Sequence, residues 1–586
     1  MKDIVRDSTL GQLLRFVTGN RILKYYDETS DFTCPGCYHG QTNERINTSP
    51  VRSSSTPTAN GHGDEQTQPH PAEQTKMEVE EPLQDSERGL GSGPANPHGI
   101  WKIPTQVDMQ RTYSQQAQPE RAISRPIDPV KTSDGTILVD WWTTDDPENP
   151  QNWSLAKKNF VSFQICIYSF AVYVGSSIYS PTVPQLMEEF NISAVTASLG
   201  LALYVLAYGI GPMLFSPLSE IPAVGRNPIY IATFTIFVIL QVPTALADNF
   251  AGLLVLPTFQ DMYPLIKIPY LIALWAASVT MGPALAPIIA GFSVGPMGWQ
   301  WFAWVLLWLS APICLMMFIS LPETSAPNIL LRRAQRFRKA TRRLDLKSQS
   351  EIDQLDMSVK DIAFDALVKP WEINALDPSV AFTTVYTALV YGMFYSFFES
   401  FPLVYPVIYH FNLGESSLPF LAIVIGLMVC IPIYIAYYFY IVEPRVKVSG
   451  FGPPEDRLIP GLVCTFFVPI GMFIFGWSAR ESCHWIGTVF GVGITMIGCY
   501  IIIQSLFLYL PFTYPQYAAS LFAANDFARS SFAAGCVVFA RPMFNNLGIA
   551  KGCTLLGGLS IGCTGGIYVL YYFGANLRAR SKFAAK

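Results

Sequence analysis

Beyond Phe160 the chain is a succession of long apolar runs broken by short polar loops. A helix needs roughly 20 apolar residues to cover a hydrocarbon core of about 30 Å. Only helices or closed barrels can satisfy the backbone at that depth. The runs are too long and too continuous for barrel strands, so the sequence reads as an all-α polytopic membrane protein. Apolar spans fall near residues 160–180, 199–219, 228–246, 269–292, 301–321, 381–400, 418–441, 458–477, 485–510, 527–544 and 553–574, eleven in all. Composition agrees: half of the 586 residues are hydrophobic and 14% are charged, against about 25% charged in a soluble domain. The net charge of −4 says little, because the signs are separated along the chain.

Residues 1–158 are polar and read as a cytosolic, mostly disordered tail. The opening "MKDIVRDSTLGQLLRF" carries charges where the apolar region of a signal peptide would lie, so no cleavable leader is expected. A short amphipathic helix is expected over 8–19, through Leu10, Leu13, Leu14 and Val17. From about Asn43 to Asp128 the chain is rich in Ser, Thr, Pro, Gln, Gly and Glu and cannot bury enough apolar surface to offset chain entropy. Its Ser/Thr content fits either a phosphorylated regulatory or trafficking segment or a passive tail. "DWWTTDDPENPQNWSLAKKN" (140–159) closes it, with tryptophans suited to a membrane interface and Lys157 and Lys158 as a cytosolic flank.

The remaining organisation follows from charge. Residues 159–321 read as an N-terminal transmembrane bundle, 322–378 as a basic cytosolic loop, 379–575 as a C-terminal bundle and 576–586 as a cytosolic tail. "LLRRAQRFRKATRR" (330–343) is cytosolic by the positive-inside rule and reads as a topology signal rather than a nucleic-acid site. Loops near 181–198, 293–300 and 401–417 hold no Lys or Arg and fit the outside face, which makes Asn191 in Asn-Ile-Ser a glycosylation acceptor there. Eight of the eleven cysteines lie in or beside apolar runs, where a small buried hydrophobe is the ordinary reading. Cys34-Pro-Gly-Cys37 is a lone CxxC with no second pair or nearby histidines, a weak metal or redox signal.

A basic loop dividing two groups of spans is the layout of a secondary transporter whose halves rock about a midplane site. Glycine and proline inside the spans (Gly209, Gly211, Pro212, Pro432, Pro469, Pro511) favour close helix approach and bending. No Walker motif, HExxH, Ser/His/Asp set or paired-carboxylate site stands out, so neither an ATP-driven pump nor an enzyme is expected.

Specific residues narrow the reading. "SPLSEIPAVGRNPIY" (216–230) resembles the loop motif between helices two and three of the major facilitator superfamily; the resemblance assigns its acid, glycine and arginine to Glu220, Gly225 and Arg226. "GPALAPIIAGF" (282–292) resembles the antiporter motif of that superfamily's drug exporters, carried by Gly282, Pro283, Pro287 and Gly291. "DDPENPQNW", "LPET", "FESFP", "PPEDRLIPGL" and "AANDFARSSFAAG" are similar to motifs of the fungal drug:proton antiporter 1 group, which includes benomyl, methotrexate, cycloheximide and azole resistance exporters. The resemblance covers about 140–586 and implies twelve helices in two six-helix bundles, both termini cytosolic, exporting lipophilic toxic compounds in exchange for protons.

One departure from the family stands out. "ADNF" (247–250) resembles the outer end of the family's third helix, and "DMYPLIK" (261–267) the inner start of its fifth. Only about ten residues, 251–260, connect them, and as a helix they cover about 15 Å, half the core. Helix four is therefore expected to be missing or vestigial, and its arginine has no counterpart. With eleven spans, either the halves face opposite ways or one span inserts imperfectly. A shortened product of an exporter gene is the expected explanation.

Within the spans, Glu399 is the best-placed carboxylate, since an intramembrane acid is costly and functional by default; it reads as a proton or cation-substrate site, or as a partly solvated structural group near the outer end. Asp526 and Arg529, three apart on one helix face, read as a local helix-end pair or as a coupling pair. Glu220 and Arg226 read as gate residues or as a solvated surface pair. Helical spacing brings Tyr391, Phe394 and Phe398 to one face with Tyr395 beside it, either a surface for flat apolar drugs or bundle packing. The function expected is proton-coupled export of hydrophobic drugs, toxins or secondary metabolites from the plasma membrane by a monomer. It would need no cofactor beyond the proton gradient, and its partners would be lipid, protons and small substrates. A polyamine or cationic-metabolite exporter, and an inactive or regulatory membrane protein, are the alternatives.

Overall fold

The structure, a computed structural model, describes residues 2–29, 127, 135–241, 262, 267–355, 368–514 and 518–581. Two short helices, α1 (Lys2–Asp7) and α2 (Thr9–Val17), precede the spans. The first bundle then contributes α3 (Leu155–Gly175), α4 (Ala194–Glu220), α5 (Asn227–Gln241), α6 (Ile268–Met297) and α7 (Trp301–Ser320). A polar helix, α8 (Ala326–Thr341), links the bundles. The second bundle contributes α9 (Pro378–Val404), α10 (Leu421–Tyr437), α11 (Phe467–Ser478), α12 (Ile486–Thr513), α13 (Ala518–Leu547) and α14 (Ile549–Arg580).

Local chemistry sets several of these ends. The Ser193 hydroxyl accepts the Thr196 N–H at 3.2 Å, satisfying an orphan donor at the start of α4. Asp377 does the same for α9 by accepting from Ser379 N–H at 2.9 Å. Gly298, at φ +83°, ends α6 and allows the short turn into α7. Small residues then bring helices together. A Cβ on Gly491 in α12 would stand 2.5 Å from the Phe475 nitrogen of α11, so only glycine fits that crossing.

Among the described residues nine helical stretches are long and apolar enough to cross a membrane. Two of the eleven expected spans fall outside that number among the described residues: α5 is apolar but its description stops at Gln241, and α13 is long but carries Asp526, Arg529 and Arg541.

Chain direction follows from contacts. Asn227 Nδ2 donates to Leu321 O at 2.6 Å, and Thr235 lies 3.5 Å from the Cys314 sulfur, so α5 and α7 run antiparallel. The tight turn makes α6 and α7 antiparallel as well. Helices α5 and α6 therefore point the same way, with Gln241 and Ile268 at opposite ends of the bundle. Residues 242–261 and 263–266, which carry the expected loss of helix four, lie outside the described residues.

One end of the bundles carries the basic segments. The central loop is not unstructured: its basic run is α8, packed into a polar layer with the N-terminal residues. Arg333 of α8 is fully buried, bonded to Asp146 at 2.7 and 3.1 Å and paired with Glu148 at 3.1 Å. Its guanidinium also lies about 5 Å from the ring centres of Trp141 and Trp142, so these tryptophans serve the polar layer. Burial by itself would lower the Arg333 pKa, but Glu148 and Asp146 outweigh it and hold the side chain charged. Ile137–Leu138 pairs in parallel with Leu346–Lys347 beside it. The N-terminal tail is thus ordered over residues 2–29, whereas the expected disorder over 43–128 and the Cys34/Cys37 pair fall on residues outside the description, Ile127 excepted.

Candidate functional site

Helices α3, α4 and α6 of the first bundle meet α9, α10, α12 and α13 of the second along a seam. Apolar close approach builds it: a Cβ on Gly209 of α4 would sit 2.6 Å from the Ser530 Cβ of α13. Against this surface stand three charged side chains, Glu399, Asp526 and Arg529, each 5% exposed or less.

Asp526 and Arg529 are not a helix-end pair. Helix α13 begins at Ala518, so the pair lies more than two turns inside it, buried against the opposite bundle. Arg529 Nε donates to Asp526 Oδ1 at 2.6 Å, and Arg529 Nη2 donates to the Tyr173 hydroxyl of α3 at 3.4 Å. The guanidinium also lies 4.7 Å from the Tyr391 ring centre, an additional anchor in a dry site. Asp526 Oδ2 has no hydrogen-bond partner among the described residues. A buried carboxylate with one oxygen held and the other free can accept a proton without first breaking its pair.

Glu399 lies five residues before α9 ends at Val404, near the far end, but it is buried and not partly solvated. Its Oε1 accepts the Ser198 hydroxyl of α4 at 3.0 Å, a bond that crosses the seam. Two further bonds cross nearby: the Tyr208 and Tyr391 hydroxyls pair, and Tyr395 donates to Ser176 Oγ at 3.0 Å. The expected aromatic face is present. Ring centres of Tyr391 and Phe394 are 6.1 Å apart, those of Phe394 and Phe398 are 5.5 Å apart, and Tyr395 lies 5.0 Å from Tyr391. In this arrangement the rings pack on one another, and Phe398 stacks on Phe420 of the far end.

Contacts close both ends of the seam. At the basic end Lys267 Nζ lies 2.9 Å from Glu443 Oε1, and the Tyr270 hydroxyl donates to Glu443 Oε2 at 2.9 Å. Tyr500 and Gln504 of α12 donate to the Ala273 and Ile272 carbonyls of α6. At the far end Gly291 of the antiporter-like motif meets Leu413 and Ser417, where a Cβ would lie 3.1 Å from the Leu413 oxygen. Gly282 does the same against α3, a Cβ there standing 2.9 Å from Phe170 O, while Pro283 O accepts from Ser177 Oγ at 3.0 Å and Pro287 is buried in the helix. The motif is thus a spine of close contacts joining α6 to both bundles.

The loop motif is braced by an acid that the sequence reading did not include, Glu323. The side chain of Glu220 lies outside the described residues. Glu323, buried after α7, accepts from the Arg226 and Asn227 backbone N–H groups, both at 3.2 Å, and from Thr324 and Ser325 N–H. Gly225 sits at φ +79°, and a Cβ there would come within 2.5 Å of Glu323 Oε2. Glycine is required for both reasons. The signal for Glu323 was present in "LPET", but its partner stands nearly 100 residues earlier (|i−j| of 96 and 97). Sequence reasoning also missed Tyr173, Ser176, Ser198, Tyr208, Lys267 and Glu443, whose roles come from pairing across the bundles. Asn191 is exposed at φ +49°, at the far end between α3 and α4.

Residues 165–537 match the Major Facilitator Superfamily. Three curated relatives are similar over most of their length. The MFS-type transporter pyvG of Aspergillus violaceofuscus is 41% identical over 474 residues, 78% of this chain and 87% of the relative. Fluconazole resistance protein 1 of Saccharomyces cerevisiae is 37% identical over 468 residues, 76% of this chain and 84% of the relative. The cycloheximide resistance protein of Candida maltosa is 31% identical over 610 aligned positions that span the whole of both chains.

Proposed function

Because the chain belongs to the major facilitator superfamily, we propose that it exports hydrophobic drugs, toxins or secondary metabolites by proton antiport, with the Asp526–Arg529 pair as the coupling centre. The observation that carries this reading is the buried pair at the seam, one carboxylate oxygen bonded to Arg529 and the other unpartnered, with Arg529 reaching Tyr173 of the opposite bundle. A proton on Oδ2 cancels the charge of Asp526. Arg529 is then left as a buried cation beside Tyr173 and the Tyr391 ring, a costly state. Its relief is to shift its bonds, and because those bonds span both bundles, protonation alters how the bundles hold together. Rocking of the halves then turns that local change into alternating access.

Substrate would occupy the seam once Tyr391, Phe394, Tyr395 and Phe398 part, stacking on ring faces that now stack on each other. Glu399 would contact a substrate amine or serve as a second proton site. The basic end faces the cytosol, since α8 and the arginines near the C-terminus lie there. Both termini are then cytosolic, Asn191 is outside, and the plasma membrane is the site of action. Resistance names borne by the relatives support drugs as cargo.

Export tests the reading directly. A drug-sensitive yeast strain expressing the chain should become resistant, and a protonophore should abolish that resistance. Resistance that survives the protonophore would exclude antiport. Resistance to polyamines alone would favour a cationic-metabolite exporter. A second reading, a shortened product of an exporter gene, is supported by the ten residues at 251–260, too few for a span of about 20. A transcript with about twenty further codons between Leu256 and Asp261 would support it, and measurable efflux from the short form alone would remove it.

A further inference from the structure

Helix α2 is amphipathic, but it is packed inside out. A helix on the surface of a globular layer turns its apolar stripe inward. Here the polar side is the bonded one. Thr9 Oγ1 donates to Asn227 Oδ1 at 3.1 Å, Gln12 Nε2 donates to the Tyr25 hydroxyl at 2.9 Å, and Arg15 binds both Glu28 oxygens at 2.6 and 2.8 Å. Ser8 and Arg15 are buried, whereas Leu13, Phe16 and Val17 are 48%, 84% and 77% exposed. The place of the helix gives that apolar face an occupant. It lies where α5 begins at Asn227 and α7 finishes at Ser320, the depth at which spanning helices leave the hydrocarbon. Leu13 and Phe16 border a recess shared with Asn227 and Pro228 at the start of α5. Arg21 and Lys24, just beyond the helix, are exposed and suit an anionic headgroup layer.

We propose that α2 lies on the membrane, its apolar face sunk into the leaflet at the basic end and its polar face strapped to the loop motif. Helices of this kind sit about 5–10 Å into the boundary between headgroups and acyl chains. The strap is short. Asp7 O accepts the Glu323 N–H at 3.2 Å, Ser8 bridges to Pro322, and Thr9 holds Asn227, so the lipid-seated helix is joined directly to the turn that Glu323 organises.

The test places a photoreactive benzoyl-phenylalanine at position 16 of the full chain, reconstituted in vesicles of phosphatidylcholine and phosphatidylserine. The same probe at position 344, an exposed leucine of the linking segment, is the comparison. Both positions are exposed, so both variants should fold. The expected result is a phospholipid adduct at position 16, by mass spectrometry, in clear excess over position 344. Equal lipid adducts at the two positions would overturn the proposal. So would an adduct at position 16 to peptide from residues 30–134, which would show that the chain itself covers this face.

Discussion

Two buried carboxylate–arginine pairs sit in different solvents and are built differently. In the polar layer the Asp146 carboxylate is closed: Oδ1 accepts from Glu148 N–H and Arg333, and Oδ2 accepts from Trp142 N–H and Arg333, while Arg333 Nε has no partner among the described residues. Asp526 and Arg529, at the seam, are half open, with Oδ2 left without a partner. Both pairs are nearly inaccessible, with side chains 5% exposed or less. Burial alone therefore does not separate the two pairs. The difference is satisfaction: a carboxylate with all its bonds made has nothing to gain from a proton, whereas one with a free oxygen does.

Breaking the open pair should have the largest effect. Arg529→Ala strands Asp526 in a dry seam, at a cost of about 3–5 kcal/mol, and export should fall to background in a drug-efflux assay. Arg333→Ala should cost about 3 kcal/mol, because it too leaves buried acids unpaired. That loss belongs to the polar layer. Thermal unfolding should show it, while export per folded molecule stays near that of the unsubstituted chain. If Arg333→Ala abolished export in well-folded protein, the distinction between the pairs would fail.

Smaller changes sharpen the contrast. Gly225→Ala forces a side chain into a positive-φ turn against Glu323 and should cost about 1–3 kcal/mol; a melting curve checks it. Tyr391→Phe removes one seam hydrogen bond, worth about 1 kcal/mol, and should alter export rate more than stability. Acidification should have the mildest effect. Burial raises the Glu28 pKa, but the Arg15 hydrogen bond and the Tyr25 N–H outweigh it and leave the carboxyl below its ordinary value. A lowered folded pKa means the stabilisation is present above the unfolded value, about 4.3, and is lost as pH falls through the folded one. Hydrogen exchange over residues 9–28 should thus stay slow at neutral pH and quicken only below about pH 4.

The spans were legible because a membrane imposes a length and an apolar composition that few residues can disguise. Helix α13 was legible only over 527–544, although it begins at Ala518: Asp526 and Arg529 lower the hydropathy of its buried first part. The aromatic face of α9 was legible too, since one helix fixes its spacing. What crosses between the bundles was not. Ser198 and Glu399 are 201 residues apart, and Tyr208 and Tyr391 are 183 apart. No local pattern encodes such pairings; only the packed fold brings them together. The inverted helix α2 was half legible: its periodicity shows in the sequence, but the side that faces the protein does not.

The proposed coupling role of Asp526 is tested most directly by Asp526→Asn in proteoliposomes. Asparagine keeps the size of the side chain and an oxygen for Arg529 but cannot carry the proton. Substrate exchange at equal pH and uptake driven by a pH gradient are then measured on the same preparation. The expected result is exchange that persists and gradient-driven accumulation that disappears. Accumulation at the rate of the unsubstituted chain would contradict it.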